Sequence, residues 1–413
     1  MIKLYNLSED VCFTDWQTLY HTLKKNNNKA TFLDESHERA VVIATQDQYH
    51  VEPAIAFAHL KFNILLEKPM AVNEEDCKRI TKAVEENNVK LAVCHVLRYS
   101  IYTQKLKELL KSGLIGNIIN IQHLEPVGYF HYAHSYVRGK WANENTSSPM
   151  LLAKSCHDID WISYVMQPAK VVNVSSFGSL IHCRKENKPE GAASRCLDCP
   201  SSIEENCCYS AKKIYLDQVK MGETGWPVSV IVESGEEPTV ENVINSLKTN
   251  NYGRCVYDSD NNVVDNQVVS LQFDNGATCT FTMIAYSKEI CERKSRIYGT
   301  KGEIEVIGNE IKHFDFLTGS YKTIDLNQEL PNTSLRGHGF ADFYLMNHFI
   351  DAVGLNDSAK LVSNARETLN SHLLVFEAEK ARHSNTVLKF NHNVDLTNVV
   401  ATPIQDNTKC ELI

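Results

Sequence analysis

The chain has 413 residues, with 42 Lys and Arg against 51 Asp and Glu and a formal net charge of −9. That balance lacks the basic excess of a general nucleic-acid binder, and 43% apolar with 23% charged residues is a globular rather than a disordered composition. No apolar run reaches the ~18 residues of a membrane helix, residues 1–6 lack a signal-peptide core, and thirteen cysteines without a secretion signal read as reduced thiols plus one metal cluster. A soluble cytoplasmic protein of two to three domains is expected.

In chain order, Thr14-Asp15-Trp16 caps a predicted helix carrying Leu19 and Leu23 that ends in the asparagine run 26–28. Residues 40–44, Ala-Val-Val-Ile-Ala, form a continuous apolar run, as expected of a parallel strand buried on both faces. Pro53 sits in the first turn of a helix through Ile55, Ala56 and His59, and 62–66 is the next strand. Asn73 caps a helix bearing Ile80, Ala83 and Val84, followed by a strand at 90–93. This alternation predicts right-handed crossovers and a parallel, Rossmann-type α/β sheet over 1–98.

Beyond Arg98 the pattern changes. A helix at 104–111 leads through Gly113 and Gly116 into strand 118–124, and further strands are predicted at 171–177, 268–273, 277–283, 294–298, 302–307 and 311–316. Asn275-Gly276 marks a hairpin. Residues 99–340 therefore read as an α+β domain with a large, mostly antiparallel open sheet, 341–390 as C-terminal helices and 391–413 as a tail.

Ligands of parallel sheets gather at the carboxyl ends of the strands. One such end here leads into Thr45 and on to His50; the other into Glu67-Lys68-Pro69. The proline fixes the backbone beneath Lys68, which can project into the crevice, bind a hydroxyl and move a proton. A strand-end salt bridge is the competing reading.

The set Ile43-Ala44-Thr45 with His50, Leu66-Glu67-Lys68-Pro69-Met70, Arg98-Tyr99, residues 113–118 (Gly-Leu-Ile-Gly-Asn-Ile), Cys156-His157-Asp158-Ile159-Asp160 and residues 298–303 (Tyr-Gly-Thr-Lys-Gly-Glu) resembles the glucose–fructose oxidoreductase/inositol dehydrogenase/MocA (Gfo/Idh/MocA) family. The resemblance implies an oxidoreductase using NAD or NADP on a sugar, cyclitol or related polyol. It matches Lys68 to the family lysine beside the nicotinamide and His157 to the histidine that exchanges the hydroxyl proton. Thr45, His50 and Glu67 match positions lining the cofactor. It also implies a homo-oligomer formed through the second-domain sheet.

Two departures stand out. The position four before His157 is Ala153 where the family often has aspartate, and Lys154 follows it, which suggests a Lys68–Lys154–His157 relay with both lysine pKa values depressed by like charge. The first glycine is Gly113, so the family's Gly-x-Gly-x-x-Gly turn is absent and the chain is expected to lack roughly the first βαβ unit. Two alternatives follow: an NAD-dependent glycosidase of the same family, or a non-catalytic member acting as an interaction protein.

Arg98, Arg138, Trp141 and His338 are candidate substrate residues; His131, His134, Tyr136, Arg138, Lys140 and Trp141 share a predicted loop. Cys196-Leu197-Asp198-Cys199 with Cys207, and His182 or Cys208 as fourth ligand, is a candidate structural zinc site, against packed reduced thiols. The run 258–262 lacks the glycine and glutamate of a calcium loop, and the terminal Cys410-Glu411-Leu412-Ile413 reads as a chance prenylation box. No nucleic-acid or membrane partner is expected.

Overall fold

The computed structural model describes residues 8, 11–25, 37–333 and 336–402. The asparagine run, the end of the tail and the terminal Cys410 box lie outside those residues.

Helix α1 (Trp16–Lys25) is capped by Asp15, whose carboxylate accepts from the Thr18 amide at 2.6 Å. Strands β1 (Ala40–Ile43), β2 (Asn63–Leu66) and β3 (Leu91–Val93) form a parallel sheet in that order, separated by helices α2 (Val51–His59) and α3 (Glu74–Asn87). Asn73 accepts from the Asp76 amide, three acids fill the first turn of α3, and Asn88 closes it in the left-handed region at φ 54°. Caps at both ends, and negative charge at the positive pole of the dipole, explain why this helix is fully formed. β2 is buried along its whole length, as a central parallel strand should be. β1 is not: Val42 is 58% exposed, because among the described residues β1 is an edge strand with one open face. Its apolar run therefore overstated its burial.

Helix α4 (Ile101–Lys111) leads to β4 (Ile118–Pro126), the first strand of the second sheet. The segment expected as a loop is helical instead: α5 (Tyr129–Tyr132) runs into a π turn over Ala133–Arg138. Its aromatic side chains are buried on several sides and so show no helical period. Helix α6 (Cys156–Met166) and β5 (Val171–Ser179) follow, then a long excursion containing α7 (Val240–Thr249). Strands β6 (Asn266–Phe273), β7 (Thr278–Ile284), β8 (Lys294–Gly299), β9 (Gly302–Ile307), β10 (Glu310–Asp315) and β11 (Ser320–Asp325) complete most of the sheet. Helices α8 (Ala341–Gly354) and α9 (Ala365–Ser384) return to the first sheet, and β12 (Leu388–Lys389) adds an edge.

The nine strands run β11-β10-β9-β8-β4-β7-β6-β5-β12, antiparallel except for the β4–β7 pair. β11 went unpredicted because nearly every residue in it is exposed, leaving no alternation to detect.

Helix α9 lies across both sheets' territory. Its Ser371 donates to Asp160 of α6 at 2.8 Å, His372 accepts from the Met70 amide at 2.9 Å, and Glu379 accepts from Gln267 of β6 at 2.7 Å. The end of β2 is thereby fixed relative to α6.

Candidate active site

The site begins where β2 ends. The Glu67 amide donates to Ile43 O at 2.9 Å, extending the sheet by one residue, and the chain then turns through a cis Lys68–Pro69 bond. Two buried histidines hold the next peptide from opposite sides. His50 Nδ1 lies 2.8 Å from Pro69 O, and His372 Nε2 accepts from Met70 N. His372 Nδ1 faces Thr368 O at 3.1 Å, so the proton of that ring sits on Nδ1. With this turn immobilised, Lys68 Nζ reaches Ala153 O at 2.9 Å and stands 5.9 Å from the Trp141 ring. Trp141 Nε1 donates to Asp47 Oδ2 at 2.9 Å, tying the second domain to the turn after β1.

His157 enters from the first turn of α6. It is buried, and its Nδ1 has no hydrogen-bond partner. Its ring centroid is 5.7 Å from that of His95 and 6.3 Å from that of His338. Burial first, and the charge of Lys68 next, push the His157 pKa well below the ordinary histidine value. A neutral imidazole in that position can accept a proton. Burial likewise brings His95 down to about 4 and His372 to about 3.

Lys154 does not join this pair. Its ammonium points the other way, 3.2 Å from Glu125 Oε1 and 2.9 Å from Cys291 Sγ. Burial works against its charge, but Glu125 outweighs it and the Lys154 pKa is raised, the opposite of the like-charge expectation. Glu125 also lies 2.9 Å from Arg293, which lies 2.9 Å from Asp158; His123 Nε2 meets Asp158 at 3.0 Å and its Nδ1 meets Ser295 at 2.7 Å. The two contacts to Glu125 are ion pairs at distance rather than aligned hydrogen bonds. Burial alone would raise the Asp158 carboxyl, yet Arg293 and His123 hold it far below the usual range. Two carboxylates, Glu125 and Asp158, thus face two cations, Lys154 and Arg293, behind the helix turn that carries His157. The sequence reading missed this network. Its signal was parity, since Ile121, His123 and Glu125 share the inward face of β4.

The remaining candidates divide. Glu67 is half-buried beside Lys68, its Oε2 accepting the Lys68 amide at 3.2 Å, and Thr45 is exposed at the end of β1. His50 is wholly buried, with Nε2 3.1 Å from Thr45 O, so it braces the two strand ends and leaves no ring edge for a ligand. Arg98 is 1% exposed and spends its guanidinium on Asp160 at 2.6 and 2.7 Å, on Val362 O and on the Tyr164 ring, so it braces α6 and does not face the cleft. Arg138 is buried in the excursion, donating to Arg254 O and Tyr209 O. His338 is exposed, with φ 46° and Nδ1 2.9 Å from Asp342, and stands over His157. A Cβ at neighbouring Gly337 would displace the Asp342 carboxylate that His338 faces. His131 flanks Cys291, and burial brings its pKa to about 3. Among the described residues no group of three or more His, Cys, Asp or Glu is arranged to hold a metal as it stands. His182 bonds the Tyr257 hydroxyl at 3.0 Å and Cys208 is exposed, so neither completes the expected zinc site.

A parallel βα sheet with a loaded strand end, closed by a histidine from an α+β domain, is the architecture of a two-domain nicotinamide-type oxidoreductase. The sequence agrees. Residues 13–95 match the profile described as "Oxidoreductase family, NAD-binding Rossmann fold", and 107–389 match "Oxidoreductase family, C-terminal alpha/beta domain". The chain belongs to the Gfo/Idh/MocA oxidoreductase family. It is 23% identical over 274 residues to YteT of Bacillus subtilis (strain 168), covering 64% of this chain and 59% of YteT. It is 28% identical over 142 residues to 2,7-anhydro-N-acetylneuraminate hydratase of Escherichia coli (strain K12), covering 34% of this chain and 37% of that one. The chain thus spans less than two thirds of either relative. Levoglucosan dehydrogenase, solved with NADH and levoglucosan, has the same fold at a TM-score of 0.61 and 16% identity, over 92% of this chain and 84% of that one.

The residues present suit the reacting end of a nicotinamide dinucleotide: a half-buried acid and ammonium at a parallel strand end, and a neutral histidine with a buried, unpartnered nitrogen. Residues 37–112 contain no glycine, so no glycine turn for a diphosphate is built from them.

Proposed function

We propose that this chain is an NAD(P)-dependent oxidoreductase that interconverts a hydroxyl and a carbonyl on a sugar, cyclitol or related polyol. The observation that carries the reading is the convergence of Lys68, on a clamped turn, with a neutral, buried His157. Glu67, Lys68 and Thr45 would hold the nicotinamide end, and the bound nicotinamide would supply the hydride-accepting carbon. Lys68 binds the reacting oxygen and steadies the negative charge that develops there. His157 takes the hydroxyl proton; its depressed pKa keeps it free to do so well below neutral pH. Trp141, beside the Lys68 ammonium, offers an apolar face to a sugar ring. Lys154, Arg98 and His50 position these groups without touching substrate.

The relative named as an anhydro-sugar hydratase favours a second reading, in which the same residues serve a reaction with no net redox change, such as NAD-dependent glycoside cleavage. Titration with NADH and NADPH, followed by nicotinamide fluorescence, tests the first requirement and the choice of cofactor together. Micromolar binding and polyol-dependent NADH production, lost in Lys68→Ala and His157→Ala, support the dehydrogenase. Binding with sugar turnover but no net NADH selects the second reading. No binding at millimolar cofactor refutes both and leaves a non-catalytic member.

We also propose self-association through the outer face of the nine-stranded sheet, where Ile119 and Phe177 are 53% and 63% exposed. A monomeric mass by light scattering would refute it. Among the described residues no helix is long and apolar enough to cross a membrane.

A further inference from the structure

The excursion between β5 and β6 is the least regular part of the chain, and it concentrates cysteines. Cys196 opens a short 3-10 turn and Cys199 follows it; Cys207 comes after the helical turn Ser201–Glu204. Cys255 is distant in sequence but is brought back by backbone pairing, its amide donating to Ser194 O at 2.9 Å beside an Arg195–Arg254 bridge. All four line one cavity of about 30 Å³, room for a single ion or water.

Arg138 lines the same cavity and is 3% exposed. A guanidinium cannot shed its proton, so when buried it needs a negative partner. Nε and Nη2 donate to two carbonyls, Nη2 lies 3.5 Å from Cys196 Sγ, and Nη1 has no partner. Among the described residues it forms no ion pair. Glu204, the carboxylate on the cavity wall, bonds Ser210 and lies 3.9 Å from Lys212. An anion touching Arg138 would meet both its charge and its unpartnered Nη1.

We propose that Cys196, Cys199, Cys207 and Cys255 bind one zinc ion as a tetrathiolate, with Arg138 as the outer donor to its sulfurs. Four S–H bonds are exchanged for four S–Zn bonds, four protons go to solvent, and no electrons are transferred. The complex carries two negative charges, which supplies Arg138 with its counter-ion and gives Nη1 an acceptor. Cys-x-x-Cys on a tight turn, plus two cysteines from separate segments, is a ligand pattern of closed structural sites. The site would staple the excursion to the π turn that carries Arg138.

The full chain, purified with reductant and zinc and then desalted, is assayed for metal by mass spectrometry. About one zinc per chain is expected in the wild type, in Cys208→Ser and in His182→Ala, and less than about a tenth in Cys196→Ser and Cys255→Ser. Should those variants fail to fold, the wild type loaded with cobalt is read instead; intense sulfur-to-cobalt charge-transfer and tetrahedral d–d bands are expected. Wild type without zinc, zinc retained in folded Cys255→Ser, cobalt spectra lacking thiolate bands, or a denatured, metal-free mass lower by two hydrogen atoms per cysteine pair would each overturn the proposal.

Discussion

The Arg98–Asp160 pair allows a sharp test of whether Arg98 serves substrate or architecture. Both side chains are 1% exposed, and the guanidinium makes two parallel bonds to the carboxylate at 2.6 and 2.7 Å. Charge-assisted bonds of this kind are worth about 1.5–3 kcal/mol each. Removing one partner also leaves the other charge buried without compensation, a loss of about 3–5 kcal/mol. Arg98→Met should therefore destabilise the chain by about 3–5 kcal/mol, lowering its urea midpoint by about 1 M or more. The double variant Arg98→Met/Asp160→Leu, with no stranded charge, should recover most of that loss. Equilibrium unfolding followed by circular dichroism and tryptophan fluorescence measures both. A change below about 0.5 kcal/mol in Arg98→Met, accompanied by a raised substrate KM, would refute the architectural reading and return Arg98 to the cleft.

Acid should destabilise the chain early. His95, His131 and His372 have folded pKa values depressed by burial, so the unfolded chain binds more protons below about pH 6.5 and stability falls from there towards the folded values. Asp158 and Asp160 are depressed as acids, so their contribution is present above about pH 4 and is lost as pH falls through their folded values. A urea midpoint flat between pH 7 and 5 would contradict the histidine part. In catalysis, the acid limb of kcat/KM for alcohol oxidation should lie well below pH 6.5, because His157 remains neutral there; a limb at or above 6.5 would argue against His157 as the base. His372→Leu should free the Met70 amide and lower kcat by about tenfold or more through Lys68 misplacement. His372→Gln, which can still accept that N–H, should retain more activity.

The Lys68 turn was legible because its signals are local: an apolar strand, then charge, then proline. Asn73 and Asn275-Gly276 were legible for the same reason, each being a short-range backbone requirement. The edge status of β1 was not, since a four-residue apolar run reads alike with one or two covered faces. Nor was the direction of Lys154, which is decided by Glu125 and Cys291, residues 29 and 137 positions away. Arg98 and His50 sit in family-like motifs yet face inward; motif position located the neighbourhood of the site but could not say which side chains line it. The cysteine cluster shows the same limit. The turn holding Cys196 and Cys199 was readable, whereas Cys255 arrives through a backbone bridge with no sequence signature.

Helix α9 fastens the cleft unevenly. On its side, Ser371, His372 and Glu379 reach α6, the Met70 peptide and β6, all through buried groups. Trp141 and Asp47, by contrast, join the domains through a single hydrogen bond near exposed residues. Strain between the two domains is therefore expected to reach the half-exposed Trp141–Asp47 bond before the buried contacts of α9.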